Sequence, residues 1–231
     1  MKKREVKNRI HYKICTTPDK PIIYVLHGSQ GDLMIDTGRK MNCRSIDRWL
    51  RSSGFDIKWI FLTHAHFDHV YNARFFKEKY GAKVLIHEKD KPLFLKEEIP
   101  EYYPTSEDSK LTTQMANRLI RTVQYPDCAI DIEVRDDDTQ LLRELGFDAD
   151  IVMLPGHTAG SMGIKQEKVL YCGDACAAKR GDYYTSLLGS DIEAVLRTEK
   201  KLFEMNPLII APGHGNIIIN ERAFEHKSNA N

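Results

Sequence analysis

An α/β fold is what this chain predicts, on three observations. Over residues 57–87 an apolar run, a polar loop, a helical pattern and a second apolar run follow in that order, the signature of an α/β unit. Histidines and aspartates gather just past the ends of predicted strands, where rigid elements aim loop residues at one point. The chain has 231 residues, 42% hydrophobic and 29% charged, enough to bury a substantial core.

The elements follow in order. PIIYVLH and DLMID flank GSQG, which predicts a β-hairpin over 21–36, closed by Asp36-Thr37-Gly38. The spacing of Ile46, Trp49 and Leu50 predicts a helix over 45–53, with Gly54 as its stop. A strand over 57–62 precedes a His-rich loop. A helix over 70–80 ends at Gly81, and KVLIH returns as a strand over 83–87. Residues 88–128 carry Pro92, Pro100, Pro104 and a helical pattern over 111–123. They read as a lid-like insertion within a single domain spanning 1–231. Strands are predicted near 130–134, 150–154, 162–165, 168–172 and 208–211, with a helix over 191–205. The final HKSNAN reads as a frayed end.

Composition narrows the partners. The net charge is +1 and the one evident basic cluster, MKKREVKNR, reads as a solvated end, so no nucleic-acid partner is expected. No run reaches the roughly 18 apolar residues of a membrane helix, and the N-terminus has no apolar signal-peptide core. Five cysteines at 15, 43, 128, 172 and 176 form no disulfide framework, and the predicted compartment is the cytoplasm.

The chemistry sits in four stretches. FLTHAHFDH packs His64, His66, Asp68 and His69 behind an apolar run. IVMLPGHTAGS, VLYCGDA and LIIAPGHG add His157, Asp174 and His214. Taken singly, each has an ordinary structural reading: a histidine beside a Pro-Gly turn, a Gly-Asp turn, a turn-capping Asp36. Together they place five of the nine histidines past strand ends. His64 and His66, two apart, project to the same side of an extended segment. Imidazole and carboxylate suit Zn²⁺, Fe or Mn. Five histidines and two aspartates are too many for one tetrahedral ion and fit two ions sharing a carboxylate.

HAHFDH, PGHTAGS, GDA and PGHG in this order resemble the metallo-β-lactamase superfamily, over nearly the whole chain from Asp36 to His214. The resemblance implies an αββα sandwich, two mixed β-sheets flanked by helices with metals at one edge. It implies that His64, His66 and His157 hold one metal and that Asp68, His69 and His214 hold a second. Asp174 would bridge the two, and Asp36 would orient the metal-site histidines. Two zinc ions are the implied cofactors, with Fe or Mn as substitutes. Gly173-Asp174 is similar to the branch of hydroxyacylglutathione hydrolases (glyoxalase II), lactonases and related esterases. The main zinc class of β-lactamases carries Cys at that position. Glyoxalase II continues past its last histidine into a glutathione-binding helical segment, whereas 17 residues follow His214 here, a departure from that pattern.

The expected reaction is hydrolysis of an ester, thioester or lactone by a hydroxide bridging two metal ions, with Asp68 orienting the nucleophile. Tyr71, Lys179, Arg180, Tyr183 and Tyr184 are the candidate substrate contacts. Tyr71 stands where the family has small residues, and either narrows the pocket mouth or packs on the insertion. Cys172 and Cys176 flank Asp174 and read as inert packing. The rival reactions are a persulfide dioxygenase with a single iron and a phosphodiesterase or nuclease of the same superfamily. The insertion's aromatic residues Phe94, Tyr102 and Tyr103 could roof the site or pair two chains as a homodimer.

Overall fold

The structure is a computed structural model that describes residues 10–17, 20–179 and 182–219, without the side chains of 178, 179 and 182–185. MKKREVKNR, HKSNAN and Arg180 lie outside the described residues. Strands β1 (His11–Ile14), β2 (Ile22–Gly28) and β3 (Gly31–Ile35) form an antiparallel meander, and helix α1 (Cys43–Ser52) follows. Next come β4 (Ile57–Phe61), α2 (Phe67–Val70), α3 (Ala73–Tyr80) and β5 (Lys83–His87). The 88–128 segment supplies α4 (Lys91–Phe94), the two-residue β6 (Tyr103–Pro104) and α5 (Lys110–Thr122). Strand β7 (Ile132–Val134), helix α6 (Leu141–Glu144), β8 (Asp150–Met153), β9 (Met162–Gln166) and β10 (Val169–Gly173) lead to a ribbon of β11 (Cys176–Lys179) and β12 (Asp182–Thr185). The short β13 (Leu188–Gly189) pairs with β6. Helix α7 (Ile192–Met205) and strands β14 (Ile209–Pro212) and β15 (Ile218–Ile219) complete the described chain.

Among the described residues two mixed sheets carry the fold, in the orders β1-β2-β3-β4-β5-β7 and β15-β14-β10-β9-β8. Burial on both faces explains the unbroken apolar runs of their central strands. Along β2, Ile22, Tyr24 and Leu26 enter a core shared with Ile151, Ile164, Tyr171 and Ile209 of the second sheet. Ile23 and Val25, facing the other way, pack with Ile46, Leu50, Val70 and Phe76 from α1, α2 and α3. The second sheet is likewise covered outside, where Leu154, Leu170 and Ile210 meet Leu202 of α7. This is the αββα sandwich that the motif resemblance implies.

One predicted helix is two. The pattern over 70–80 breaks at Tyr71-Asn72, because the Asn72 side-chain amide donates to the carbonyls of Thr37 (2.7 Å), Gly38 (3.1 Å) and Arg39 (2.8 Å). That clasp fixes the loop after β3 against the His-rich loop after β4. Helix α7 begins where expected, with the Asp191 carboxylate accepting from the Ala194 amide at 2.9 Å. The sheets are joined at the edge where β3, β4, β10 and β14 end. There Met162 donates to the Thr63 carbonyl (2.9 Å) and Ile22 to the Gly213 carbonyl (2.8 Å). The Tyr24 hydroxyl donates to the Pro212 carbonyl at 2.8 Å.

Candidate metal centre

Asp36 sits just past β3 with φ +59°, a left-handed conformation that aspartate tolerates better than most residues. Its carboxylate turns back on the loop after β4. It accepts from the Thr63 amide (2.8 Å), the Thr63 hydroxyl (2.9 Å) and His69 Nδ1 (2.8 Å). The acceptors dictate the tautomers. A carboxylate can only accept, so His69 carries a proton on Nδ1 and turns Nε2 toward the site. The Thr63 hydroxyl, spent on Asp36, accepts from His64 Nδ1 at 3.0 Å, so His64 also presents Nε2. His157 Nδ1 donates to the Leu188 carbonyl (3.0 Å) beside the Ser186 hydroxyl (2.8 Å), which leaves its Nε2 inward.

These inward atoms meet. His157 Nε2 lies 2.9 Å from His66 Nδ1, and His69 Nε2 lies 3.0 Å from His214 Nε2. The Asp174 carboxylate stands between the sets, 3.4 Å from His214, 3.5 Å from His69 and 3.7 Å from His157. Asp68 reaches His214 at 3.4 Å. Three overlapping groups result: His64, His66 and His157; His64, His69 and Asp174; Asp68, His69 and His214. Within each, the ligand atoms lie within 4.8 Å of one another. All seven residues proposed from the motifs therefore converge, as does Asp36 behind them. Gly213 makes room, since a Cβ there would lie 2.8 Å from His69 Cε1 and overlap Asp174 Oδ1.

The donor set fits divalent cations. Among the described residues His64 Nε2 and Asp174 Oδ1 are buried without a hydrogen-bond partner, a costly state for polar atoms unless something else occupies them. Burial, reinforced by neighbouring histidines, holds His64 and His66 well below the ordinary imidazole range and lowers His157 as well. All three are held toward the neutral form, the form in which an imidazole can donate a lone pair to a cation. His69 and His214 go the other way. Burial opposes their charge, but Asp174 and Asp36 raise His69, and Asp174 and Asp68 raise His214 to about 9. Asp68 and Asp174 are held low by the histidines facing them, against burial.

Three residues absent from the sequence reading complete the surroundings. Asp90, just past β5, is buried and accepts from the Ala65 amide (2.8 Å), the Thr158 hydroxyl (2.8 Å) and the Gly160 amide (2.7 Å). It ties the His64–His66 loop to the His157 loop. Burial pushes its carboxyl up despite those donors. Arg39 approaches Asp68 at 3.8 Å and lies 4.9 Å over the Phe67 ring. Ser186 steadies His157. In the strand pattern Asp90 could have been noticed as a carboxylate past a strand end, whereas Arg39 and Ser186 carry no sequence signal.

The substrate candidates fare unevenly. Tyr71 joins the helix-side core with its ring 6.5 Å from Tyr125, so it packs on the 88–128 segment and is not among the residues that line the site cavity. Lys179, Tyr183 and Tyr184 belong to the β11–β12 ribbon; their side chains are not described, and Arg180 lies outside the described residues. In the 88–128 segment Phe94 is buried, Tyr103 is exposed, and buried Tyr102 sets its ring 4.9 Å from that of His66. Cys172 and Cys176 are buried with sulfurs 3.1 Å apart. The hydrogen bond from Cys172 and burial push the Cys176 thiol up, in keeping with inert packing.

The chain belongs to the metallo-beta-lactamase superfamily, whose family model matches residues 17–214. Its members are in general metal-dependent hydrolases. The hydroxyacylglutathione hydrolase GloC of Haemophilus influenzae is 30% identical over 197 residues, 79% of each chain. A hydroxyacylglutathione hydrolase of Pelagibacter ubique is 28% identical over 66% of this chain, which spans about half (53%) of that relative's length. The di-iron-bound structure of TTHA1623 shares the fold at TM-score 0.67 and 22% identity, covering 91% of this chain and 94% of the other. BLEG-1, a B3 metallo-beta-lactamase, does so at TM-score 0.64 and 23% identity, with 93% and 97% covered. Among the described residues no helix is long and apolar enough to cross a membrane.

Proposed function

We propose that the protein is a dinuclear metal-dependent hydrolase of an ester, thioester or lactone. The observation that carries this reading is the position of Asp174, whose carboxylate lies 3.4–3.7 Å from histidines of both sets. In this reading His64, His66 and His157 hold one ion, Asp68, His69 and His214 the other, and Asp174 both. Two divalent ions bound there supply Lewis acidity and a hydroxide nucleophile at neutral pH, because coordination lowers the pKa of water to about 7. The ions are zinc, with iron or manganese as chemically acceptable substitutes.

The chain's own residues supply the geometry. Asp36 holds the proton on His69 Nδ1 and, through Thr63, the one on His64 Nδ1, so both rings are already aimed with Nε2 toward the site. The Leu188 carbonyl does the same for His157. Asp68, paired with His214 and near Arg39, stays ionised at the cavity side, where it orients the attacking oxygen. Attack forms a carbon–oxygen bond at the acyl carbon and breaks the bond to the leaving oxygen or sulfur; the products are a carboxylate and an alcohol or thiol. The hydroxyacylglutathione hydrolase relatives favour a thioester among the three substrates. The alternative is a mononuclear-iron persulfide dioxygenase, with which retained Asp68, His69 and His214 are compatible, and no observation favours it over the hydrolase.

The test is a panel of acyl thioesters, esters and lactones with metal-loaded protein. Turnover is expected for at least one class, with a loss of more than 1,000-fold in kcat/KM on Asp174→Ala, on the order of removing a metal's contribution to the barrier. Full activity of Asp174→Ala would sink the reading.

A further inference from the structure

The metal cluster forms one end of a cavity of about 450 Å³, inside the range of small-molecule sites. Its side wall is helix α5 of the 88–128 segment. Thr112, Met115, Ala116, Leu119 and Ile120 line it, at the i, i+3, i+4, i+7 and i+8 positions of one helical stripe. Such a stripe ordinarily packs into a core. Here it mostly does not: Thr113 is the buried residue of α5, while Met115 is 58% and Leu119 37% exposed. Leu187, 45% exposed, faces the same cavity from the segment before β13, with Leu188 and Phe67 beside the metal-binding residues. Apolar side chains thus line a wall that ends at His66, His157 and Asp174.

We infer that this wall is the binding cleft for an aliphatic acyl chain, so that the substrate is a medium-chain acyl ester, thioester or lactone. The inference rests on the hydrolase reading, since it places the chain beside the carbonyl that the site would attack. A short polar hydroxyacyl group would leave Met115, Leu119 and Leu187 in water, whereas a chain of several methylenes covers them. The occupant is the substrate rather than a second copy of the protein, because the stripe faces the cavity that the metal-binding residues close.

Two ladders test it. Binding of butanoate, hexanoate, octanoate and decanoate to the metal-loaded protein is measured by calorimetry, and hydrolysis of acyl thioesters of matching length by kcat/KM. Both should improve about two- to fourfold per added methylene, in line with burial of a methylene group. In Met115→Ser/Leu119→Ser the slope should flatten; both sites are substantially exposed, so the core is untouched. Turnover with no dependence on length would overturn the cleft and leave the hydrolase standing. Length-dependent binding without turnover of any thioester, ester or lactone would support the cleft and overturn the hydrolase. A wild-type dimer that dissociates in the double variant, with a flat ladder, would assign the stripe to a second copy and overturn the inference.

Discussion

At the scale of single residues the site is a problem in proton placement. Asp36 touches no inward-facing nitrogen, yet through His69 Nδ1 and the Thr63 hydroxyl it decides which nitrogen of two histidines faces the site. Asp36→Asn should weaken binding at the His69 set by about 10–100-fold, the usual cost of losing a partner behind a metal ligand. Competition with a chromophoric chelator would read this, and unchanged affinity would show the carboxylate to be structural only. A second consequence concerns pH. His69 and His214 share a raised affinity for protons in the metal-free protein, His214 up to about 9. An ion entering that set must displace a proton at any pH below about 9, so its affinity should rise with pH, by roughly tenfold per unit for each proton displaced. His64, His66 and His157 are lowered and already neutral, so the first ion's affinity should stay nearly flat between pH 6.5 and 8.5. Two-step metal titrations across that range measure both slopes, and equal slopes would contradict the assignment.

At the scale of elements the cluster depends on how loops past β4, β5, β8, β10 and β14 are held together. Asp90 is the tie between two of them, with three donors on one buried carboxylate. Asp90→Ala would leave the Ala65 and Gly160 amides and the Thr158 hydroxyl without their acceptor. The expected cost is about 3 kcal/mol of stability, measured by denaturant unfolding, with Asp90→Asn recovering part of it. A loss below about 0.5 kcal/mol would mean the loops are held without it, as at ordinary surface sites. Helix α5 works differently. It contributes little to the core and much to the cavity wall, so its helical pattern over 111–123 was legible in the sequence while its place beside the site was not.

At the scale of the whole molecule, the parts legible from sequence are those governed by period and by local chemistry. The hairpin of β2 and β3, the buried strands β4, β5 and β14 and helix α7 follow from apolar runs, turn residues and an Asp cap. The seven residues of the metal-binding motifs were legible because each loop carries imidazole or carboxylate directly behind an apolar run. What could not be read depends on contacts distant in sequence. The break between α2 and α3 comes from Asn72 reaching back 33–35 residues. The β11–β12 ribbon is set by the antiparallel pairing of two four-residue segments that carry no long apolar run. Tyr71 and Tyr102 are both tyrosines near the site, and only packing sends one to the core and sets the other against His66. In the dinuclear reading both sets fill, joined by Asp174. Elemental analysis of protein purified without chelator or added metal tests it most directly, with His214→Ala alongside. Two divalent ions per wild-type chain, falling to one or fewer in the variant, is the predicted result. One iron per chain, unchanged by His214→Ala, would contradict it.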